Sequence, residues 1–289
     1  MEKLRNLVKQ AEDKKVAIGH FNISDLVGLK AIFEAAKDLN VPVIIGTSEG
    51  EAEFINRNEA AAMVKTLREK ENFPIFLNSD HTKSLSEVKK AVEAGYDAIL
   101  FDGGKLSYEE NIKQTKEVVE YVKSVNPEIL VEGELGYIGS SSKILKEIPE
   151  GVAINQEDLT SPEMAKKFVK ETGVDFLAPA VGNIHGMFSK ANNPDLDIKR
   201  IKSIREAAGV PLVLHGGSGI KDCDFISAIN AGIAIIHINT EIRLAWRRGL
   251  EEGLKDNPEE ITPYKVLPEA VEEVKKVVKK RLQLFNKLV

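Results

Sequence analysis

The chain has 289 residues and a formal net charge of −5, with a pI near 5.7. Hydrophobic residues make up 43% and charged residues 29%, a balance typical of a soluble globular protein, and no apolar run reaches the roughly 20 residues of a membrane-spanning helix. The acidic excess argues against a surface that follows nucleic-acid phosphates. The N-terminus lacks the apolar centre of a secretory signal, and one cysteine fits a reducing compartment. We therefore expect a cytoplasmic protein with neither nucleic-acid nor membrane partners.

Short apolar runs rich in Val, Ile and Leu recur along the chain. Because they are apolar on both faces, they predict parallel strands covered by helices. The eight runs span residues 16–21, 42–48, 74–80, 97–102, 128–134, 175–180, 211–217 and 233–239. Between them, apolar residues recur every three or four positions, which predicts amphipathic helices.

This alternation of strand and helix predicts the fold class, which is α/β. Eight such units without a linker rich in Pro, Gly or Ser favour one closed (β/α)8 (TIM) barrel over residues 1–289. A doubly wound sheet is the alternative. Residues 258–289 carry a long Lys-rich amphipathic pattern and are predicted to form a C-terminal helical extension. That extension would cover the outside of the barrel or meet a neighbouring subunit.

All the histidines lie at or just after the carboxyl end of a predicted strand. The active site of a (β/α)8 barrel is built at that end. A single histidine there is more often a hydrogen-bonded structural residue, but five at one end favour a functional site. They are His20, His81, His185, His215 and His237.

Four carboxylates gather at the same end of the predicted barrel: Asp80, Asp102, Glu132 and Glu134. Each taken alone could be a helix cap or a salt-bridge partner. Together with the imidazoles they suit a divalent ion such as Zn²⁺.

The segment GGSG at 216–219 lies between the seventh strand and the next helix. Its bare backbone N–H groups can cradle a phosphate, and barrels often bind phosphate with the loops after strands seven and eight. Asn239 and Thr240 offer a second such turn beside it. Glycine could equally serve the turn geometry alone.

In chain order, these segments resemble the class II, metal-dependent ketose-bisphosphate aldolases over most of the chain. NSDH resembles the family's catalytic Asp-His pair, which implies that Asp80 is a general acid/base. FDGG and VEGELG are similar to segments near the metal, and AVGNIHG and LVLHGGSG to segments that carry metal-binding histidines. The resemblance thus implies a metal site formed by His81, His185, His215, Glu134 and Asp102.

The resemblance also implies the activity. A class II fructose-1,6-bisphosphate aldolase is a lyase that reversibly cleaves its phosphorylated sugar to dihydroxyacetone phosphate and glyceraldehyde 3-phosphate. It implies one catalytic Zn²⁺, with room for a second or a monovalent cation, and a homo-oligomer, either a dimer or a tetramer. A tagatose-1,6-bisphosphate aldolase and a non-catalytic phosphosugar-binding homologue are the alternatives.

Substrate contacts follow from the same resemblance. The implied residues are Asn22, Ser48, Gly182, Gly186, Lys190, Gly216, Ser218, His237, Asn239 and Thr240. Two of these depart from the family pattern, because His237 stands where the family has an asparagine and Lys190 is displaced by one position.

Two further functions have no clear residue in the sequence. YIGSSSKILKEIPEG replaces the family's acidic loop, so Glu147 and Glu150 are candidates for its proton carrier. Lys265 and Arg57 are candidates for binding the second phosphate.

Overall fold

Eight parallel strands close a barrel in the computed structural model, which describes residues 2–139, 142–153, 155–188 and 193–288. The barrel strands are β1 (Ile18–Asn22), β2 (Val43–Ser48), β3 (Ile75–Thr82), β4 (Ala98–Phe101), β5 (Leu130–Leu135), β7 (Phe176–Pro179), β9 (Leu212–Leu214) and β10 (Ile233–Ile238). They follow one another in chain order, and β10 pairs with β1 to close the barrel. This confirms the predicted fold class and excludes the doubly wound sheet.

Two short strands lie outside the barrel. They are β6 (Ile144–Leu145) and β8 (Met187–Phe188), which pair in parallel and connect the loop after β5 to the loop after β7. The loop after β7 carries His185 and Gly186 of the predicted site, and the two-stranded sheet ties this loop to the loop after β5.

Helices cover the outside of the barrel between successive strands. In the described residues they are α1 (Leu4–Asp13), α2 (Leu26–Leu39), α3 (Glu49–Ile55), α4 (Arg57–Glu71), α5 (Leu85–Ala94), α6 (Tyr108–Val125), α7 (Pro162–Thr172), α8 (Ile198–Ala208), α9 (Asp222–Ala231), α10 (Thr240–Asp256), α11 (Pro263–Val266) and α12 (Pro268–Phe285). None of these helices combines the length and apolarity that crossing a bilayer requires.

The alternation of side chains along each strand separates two apolar layers. In β2, Ile44 packs inside the barrel, while Val43 and Ile45 pack outward against the helices. At the amino end of the barrel, Leu4 and Val8 of α1 join the inner layer and cover it. The amino end is therefore filled by apolar side chains, and polar side chains gather at the opposite end.

The C-terminal helix α12 lies along α2 and α10. Its apolar stripe, which includes Val274, Val278, Leu282 and Phe285, is buried. In this chain α12 thus covers the outer face of the barrel, the first of the two positions that its sequence pattern allowed.

Candidate active site

A cavity of about 280 Å³ opens at the carboxyl ends of the strands. Most of the predicted site residues line it, namely Asn22, Ser48, Asp80, His81, Asp102, His185, Gly186, His215, Gly216, Ser218, His237, Asn239 and Thr240. Glu134 lies behind this lining and faces the histidines. Gly182 does not line the cavity, and Lys190 falls outside the described residues.

Four side chains bring possible metal-ligand atoms within 4.8 Å of one another: His81, Glu134, His185 and His215. Each has a buried polar atom without a hydrogen-bond partner among the described residues, and these atoms are His81 Nε2, Glu134 Oε2, His185 Nε2 and His215 Nδ1. Leaving buried polar atoms unpaired costs free energy, so native proteins rarely do so without another partner. Three imidazole nitrogens and one carboxylate oxygen fit a zinc-type site.

Two carboxylates hold the other nitrogens of these imidazoles. Asp102 Oδ2 lies 3.0 Å from His81 Nδ1, and Glu132 Oε1 lies 2.7 Å from His215 Nε2. Such contacts fix the orientation of a metal-binding imidazole and leave its second nitrogen for the ion. The Asp102 carboxylate thus reaches the cluster through His81, whereas the resemblance had implied Asp102 as a member of the metal site itself.

The charges around the cluster favour a cation. Burial by itself would lower the pKa of His81, but the negative charges of Asp80, Asp102 and Glu134 outweigh it and raise this pKa to about 10. Burial, reinforced by the Asp102 charge, raises the pKa of Glu134 well above its ordinary value. A positive charge at this point is therefore stabilised by three neighbouring carboxyl groups.

An irregularity in β3 lets two consecutive residues face the same cavity. Side chains that follow one another in a regular strand point to opposite faces, yet Asp80 and His81 both line the cavity. The register between β3 and β4 shifts between Ser79 and Thr82, and His81 has a left-handed φ of 51°. This conformation is unfavourable for a histidine, and such strain is concentrated at functional sites.

The Asp80 carboxylate is hydrogen-bonded by Asn22 and lies close to the ring of His237. Asn22 Nδ2 donates to Asp80 Oδ2 and also lies 2.9 Å from Glu51 Oε2. On the other side, His237 Nδ1 lies 3.3 Å from Asp80 Oδ1. Burial would raise the pKa of Asp80, but the charge of His81 and the contact with His237 outweigh it and hold the pKa well below its usual value. Asp80 is therefore an ionised carboxylate that can accept a proton.

A second group, formed by His20, Asp80 and His237, also brings ligand atoms close together. The rings of His20 and His237 are stacked, with centroids 3.5 Å apart and an angle of 6° between their planes. An ion in the plane of one ring would lie far out of the plane of the other, so the two imidazoles are poorly placed to share one. Burial lowers the pKa of His20 to about 4 and that of His237 well below its ordinary value, so both rings are neutral.

The glycine loop after β9 lies at one wall of the cavity. Gly216 has a φ of 62°, and a Cβ added there would lie 2.4 Å from the carbonyl oxygen of Ile184, so only glycine fits. Ser218 Oγ accepts a hydrogen bond from the backbone N–H of Glu241, in the first turn of α10. Beside it, the N-cap residue Asn239 makes no side-chain cap on α10. The loop and this helix start are thus arranged to receive an anion.

Sequence reasoning missed Lys83 and Arg243, which line the cavity, and Glu51, a buried carboxylate that contacts the lining residues Asn22 and Ser48. Lys83 and Arg243 bring positive charge to the cavity lining, and Arg243 Nη2 donates to the buried Glu51 carboxylate at 2.6 Å. The signal for Arg243 was its place one turn after Thr240 on a helix that starts at the site. Glu132 was named from the sequence as one of four carboxylates at this end of the barrel, but its contact with His215 was not predicted.

The residues suggested from the sequence for the second phosphate and for the proton carrier lie outside the cavity. Arg57 pairs with Glu87 and Lys265 with Glu260, and neither cation lines the cavity. Glu147 and Glu150 are exposed and do not line it either.

The proteins that resemble this chain in sequence and in structure are aldolases. A family model for class II fructose-bisphosphate aldolase matches residues 2–288. A probable fructose-bisphosphate aldolase of Bacillus subtilis is 34% identical over 286 residues, which cover 98% of this chain and 96% of that protein. The fructose-bisphosphate aldolase of Thermus caldophilus is 34% identical, with 97% and 96% covered. The crystal structure of the YdjI aldolase from Escherichia coli K12 is 31% identical, covers 98% of this chain and 96% of its own, and has a TM-score of 0.82.

The closed barrel, the cluster of three histidines and a carboxylate, and the glycine loop define an α/β-barrel enzyme with a metal site. Within that class, the chain belongs to the class II fructose-bisphosphate aldolase family, whose members are metal-dependent lyases. The resemblance inferred from the sequence motifs is therefore confirmed.

Proposed function

We propose that the protein uses Zn²⁺ to cleave fructose 1,6-bisphosphate reversibly to dihydroxyacetone phosphate and glyceraldehyde 3-phosphate. One observation carries the proposal: four buried ligand atoms, which have no hydrogen-bond partner among the described residues, converge beside an ionised carboxylate and a glycine loop that suits phosphate. Relatives named fructose-bisphosphate aldolase cover nearly the whole chain and support the choice of substrate.

His81, His185, His215 and Glu134 would hold the divalent ion, and Asp102 and Glu132 would orient two of these imidazoles. When bound, the ion supplies Lewis-acid stabilisation of the charge that develops on the substrate's carbonyl and hydroxyl oxygens.

Asp80 is proposed to remove the proton of the C4 hydroxyl during cleavage and to return it during condensation. Its carboxylate is ionised, Asn22 donates a hydrogen bond to Oδ2, and Oδ1 lies 3.3 Å from His237 Nδ1. Oδ1, which has no hydrogen-bond partner among the described residues, is thus the oxygen that can take the proton.

The remaining substrate residues are proposed from their places around the cavity. Gly216, Ser218, Asn239 and Thr240 would bind the phosphate on the dihydroxyacetone side, and Asn22 and Ser48 would contact the sugar. The assignments of Gly182, Gly186 and Lys190 stay predictions from the family resemblance.

We further propose a cytoplasmic homo-oligomer, either a dimer or a tetramer. The single cysteine, which is free and exposed, fits a reducing compartment. Large apolar side chains on the outer surface, among them Phe54, Ile261 and Tyr264, are suited to a subunit contact. Sedimentation velocity of the purified protein tests the oligomeric state.

The proposed activity is tested by a coupled assay of fructose 1,6-bisphosphate cleavage before EDTA, after EDTA and after Zn²⁺ is restored. Activity should vanish with the chelator and return with zinc. D-tagatose 1,6-bisphosphate is assayed in parallel, because the two sugars differ at one hydroxyl. Faster turnover of the tagatose sugar would reassign the substrate. No turnover of either sugar by protein with one zinc per chain would contradict the proposed catalysis and favour a phosphosugar-binding role.

A further inference from the structure

His20 is a buried imidazole that the proposed mechanism does not use. Its side chain is fully buried in β1, and it is not among the residues that line the cavity. His20 Nε2 lies 3.1 Å from the side-chain amide of Asn78. Space for the ring exists because residue 46 is glycine, where an added Cβ would lie 2.1 Å from His20 Cε1. The ring is therefore fixed at its edge by Asn78 and below by the backbone of β2.

One face of the His20 ring supports His237. The two residues are direct partners in the pairing of β1 with β10, and their rings lie parallel at 3.5 Å. On its other side, His237 meets the ring of His215, with centroids 3.9 Å apart and a tilt of 41°. His237 is thus enclosed between two rings, which restrict its rotation and leave its Nδ1 next to Asp80 Oδ1.

We propose that His20 is a positioning residue, which holds the His237 ring so that its Nδ1 stays beside Asp80 Oδ1 and thereby orients the Asp80 carboxylate. His20 acts through His237 and touches neither substrate nor metal. This inference deepens the proposed function and rests on it for its catalytic consequence.

Geometry opposes the two other roles for His20. A substrate ligand would need access to the cavity, which this ring does not have. A shared metal ion would have to lie in the planes of both stacked rings, and parallel planes 3.5 Å apart do not allow it. A purely structural role for the ring is the reading that the experiments must separate from positioning.

The first test reads the tautomer of His237 without using activity. Zinc-loaded protein with ¹⁵N-labelled histidine is studied by long-range ¹H–¹⁵N correlation, and His237 is assigned with His237→Asn. We expect the Nδ1–H tautomer in the parent protein and a mixture of tautomers in His20→Ala. An unchanged Nδ1–H tautomer in folded His20→Ala would overturn the inference, whether or not the protein cleaves fructose 1,6-bisphosphate.

The second test separates kcat from KM. His20→Ala should lower kcat about 10-fold, a part of the roughly 10²–10⁴-fold that a positioned general acid/base supplies, with KM and zinc content within about 2-fold of the parent. His20→Phe keeps a flat ring against His237 and should recover most of kcat. Ile18→Ala removes an equally buried side chain from the same strand and is the matched control, for which kcat per zinc-loaded site should not change.

A double-mutant cycle decides whether the effect passes through Asp80. In an Asp80→Asn background, His20→Ala should cause no further loss of kcat, because the carboxylate that it positions is gone. An equal 10-fold loss in both backgrounds would show that His20 only maintains the structure. Parent protein that is inactive while its His237 tautomer responds to His20→Ala would refute the proposed activity and leave the positioning contact standing.

Discussion

Glu132 holds one nitrogen of His215 and leaves the other for a metal ion. The carboxylate is buried and its contact with the ring measures 2.7 Å, so the tautomer of this proposed ligand is set by a side chain outside the ligand set. At the scale of single residues, the site thus depends on both nitrogens of His81 and of His215: the one that faces the metal position and the one that a carboxylate holds.

Glu132→Gln should weaken zinc binding by about 10–100-fold, as loss of such orienting contacts generally does. The amide keeps the shape of the side chain but removes the charge that favours His215 as a ligand. Zinc affinity is measured by competition with a chromophoric chelator. Glu163→Gln, at an exposed position on α7, is the control and should bind zinc like the parent. Equal affinity in Glu132→Gln and in the control would rule out the orienting role.

His215→Ala should lose both zinc and cleavage, because it removes one of three imidazole ligands and leaves Glu132 buried without its partner. Zinc content by mass spectrometry and the coupled assay are measured on the same sample. A full complement of zinc in this variant would show that His215 is not a ligand.

At the scale of whole elements, the helix α12 is tied to the phosphate loop. Arg281 of α12 donates to both oxygens of Glu241, at 2.8 and 2.6 Å, and to Asp222 at 2.8 Å. Glu241 in turn accepts the backbone N–H of Gly219 at 2.9 Å. A helix on the outside of the barrel therefore helps to hold the loop that is proposed to bind phosphate.

Arg281→Leu should lower the free energy of unfolding by roughly 3 kcal/mol, because it leaves the largely buried Glu241 carboxylate without its cation. We also expect a several-fold rise in KM for the bisphosphate, since the glycine loop loses its support. Urea unfolding and steady-state kinetics give the two values. Lys280→Leu removes an exposed charge from the same helix and should change stability by about 0.5 kcal/mol or less. Equal effects of the two substitutions would show that the Arg281–Glu241 ion pair does not support the loop.

The sequence predicted the elements better than their ends. Buried parallel strands are nearly continuous apolar runs, so all eight were found. The seventh was expected to reach Gly217 but ends at Leu214, because its glycines turn into the loop. The third was expected to end at Asp80 but continues to Thr82. The left-handed backbone of His81 depends on a register shift against β4, and sequence periodicity carries no information about register.

At the scale of the whole molecule, the site exists only because the barrel closes. The proposed ligands come from β3, β5 and the loops after β7 and β9, and the carboxyl-end rule was enough to predict that they would meet. The stack of His20 on His237 joins the first barrel strand to the last, which are far apart in the chain. The two rings meet only because β1 pairs with β10 in the register His20↔His237. Sequence reasoning placed both residues at one end of the barrel, but it could not predict this register and therefore missed their contact.

Zinc should stabilise the fold, because an ion that joins four separate elements binds the native state and not the unfolded chain. At free zinc about 1,000-fold above Kd the gain is about 4 kcal/mol, which corresponds to a rise in Tm on the order of 10 °C for a domain of this size. Thermal unfolding is followed by circular dichroism with zinc and with EDTA. His215→Ala should show little of this difference. A full shift in that variant would place the stabilising ion elsewhere.

Gly46 constrains the order in which this site can change during evolution. A methyl group at residue 46 would overlap the ring of His20, so a larger side chain there is tolerated only after residue 20 has become small. The reverse order passes through a clashing intermediate. Residues 20 and 46 are therefore coupled, because a histidine at position 20 in this orientation requires glycine at position 46.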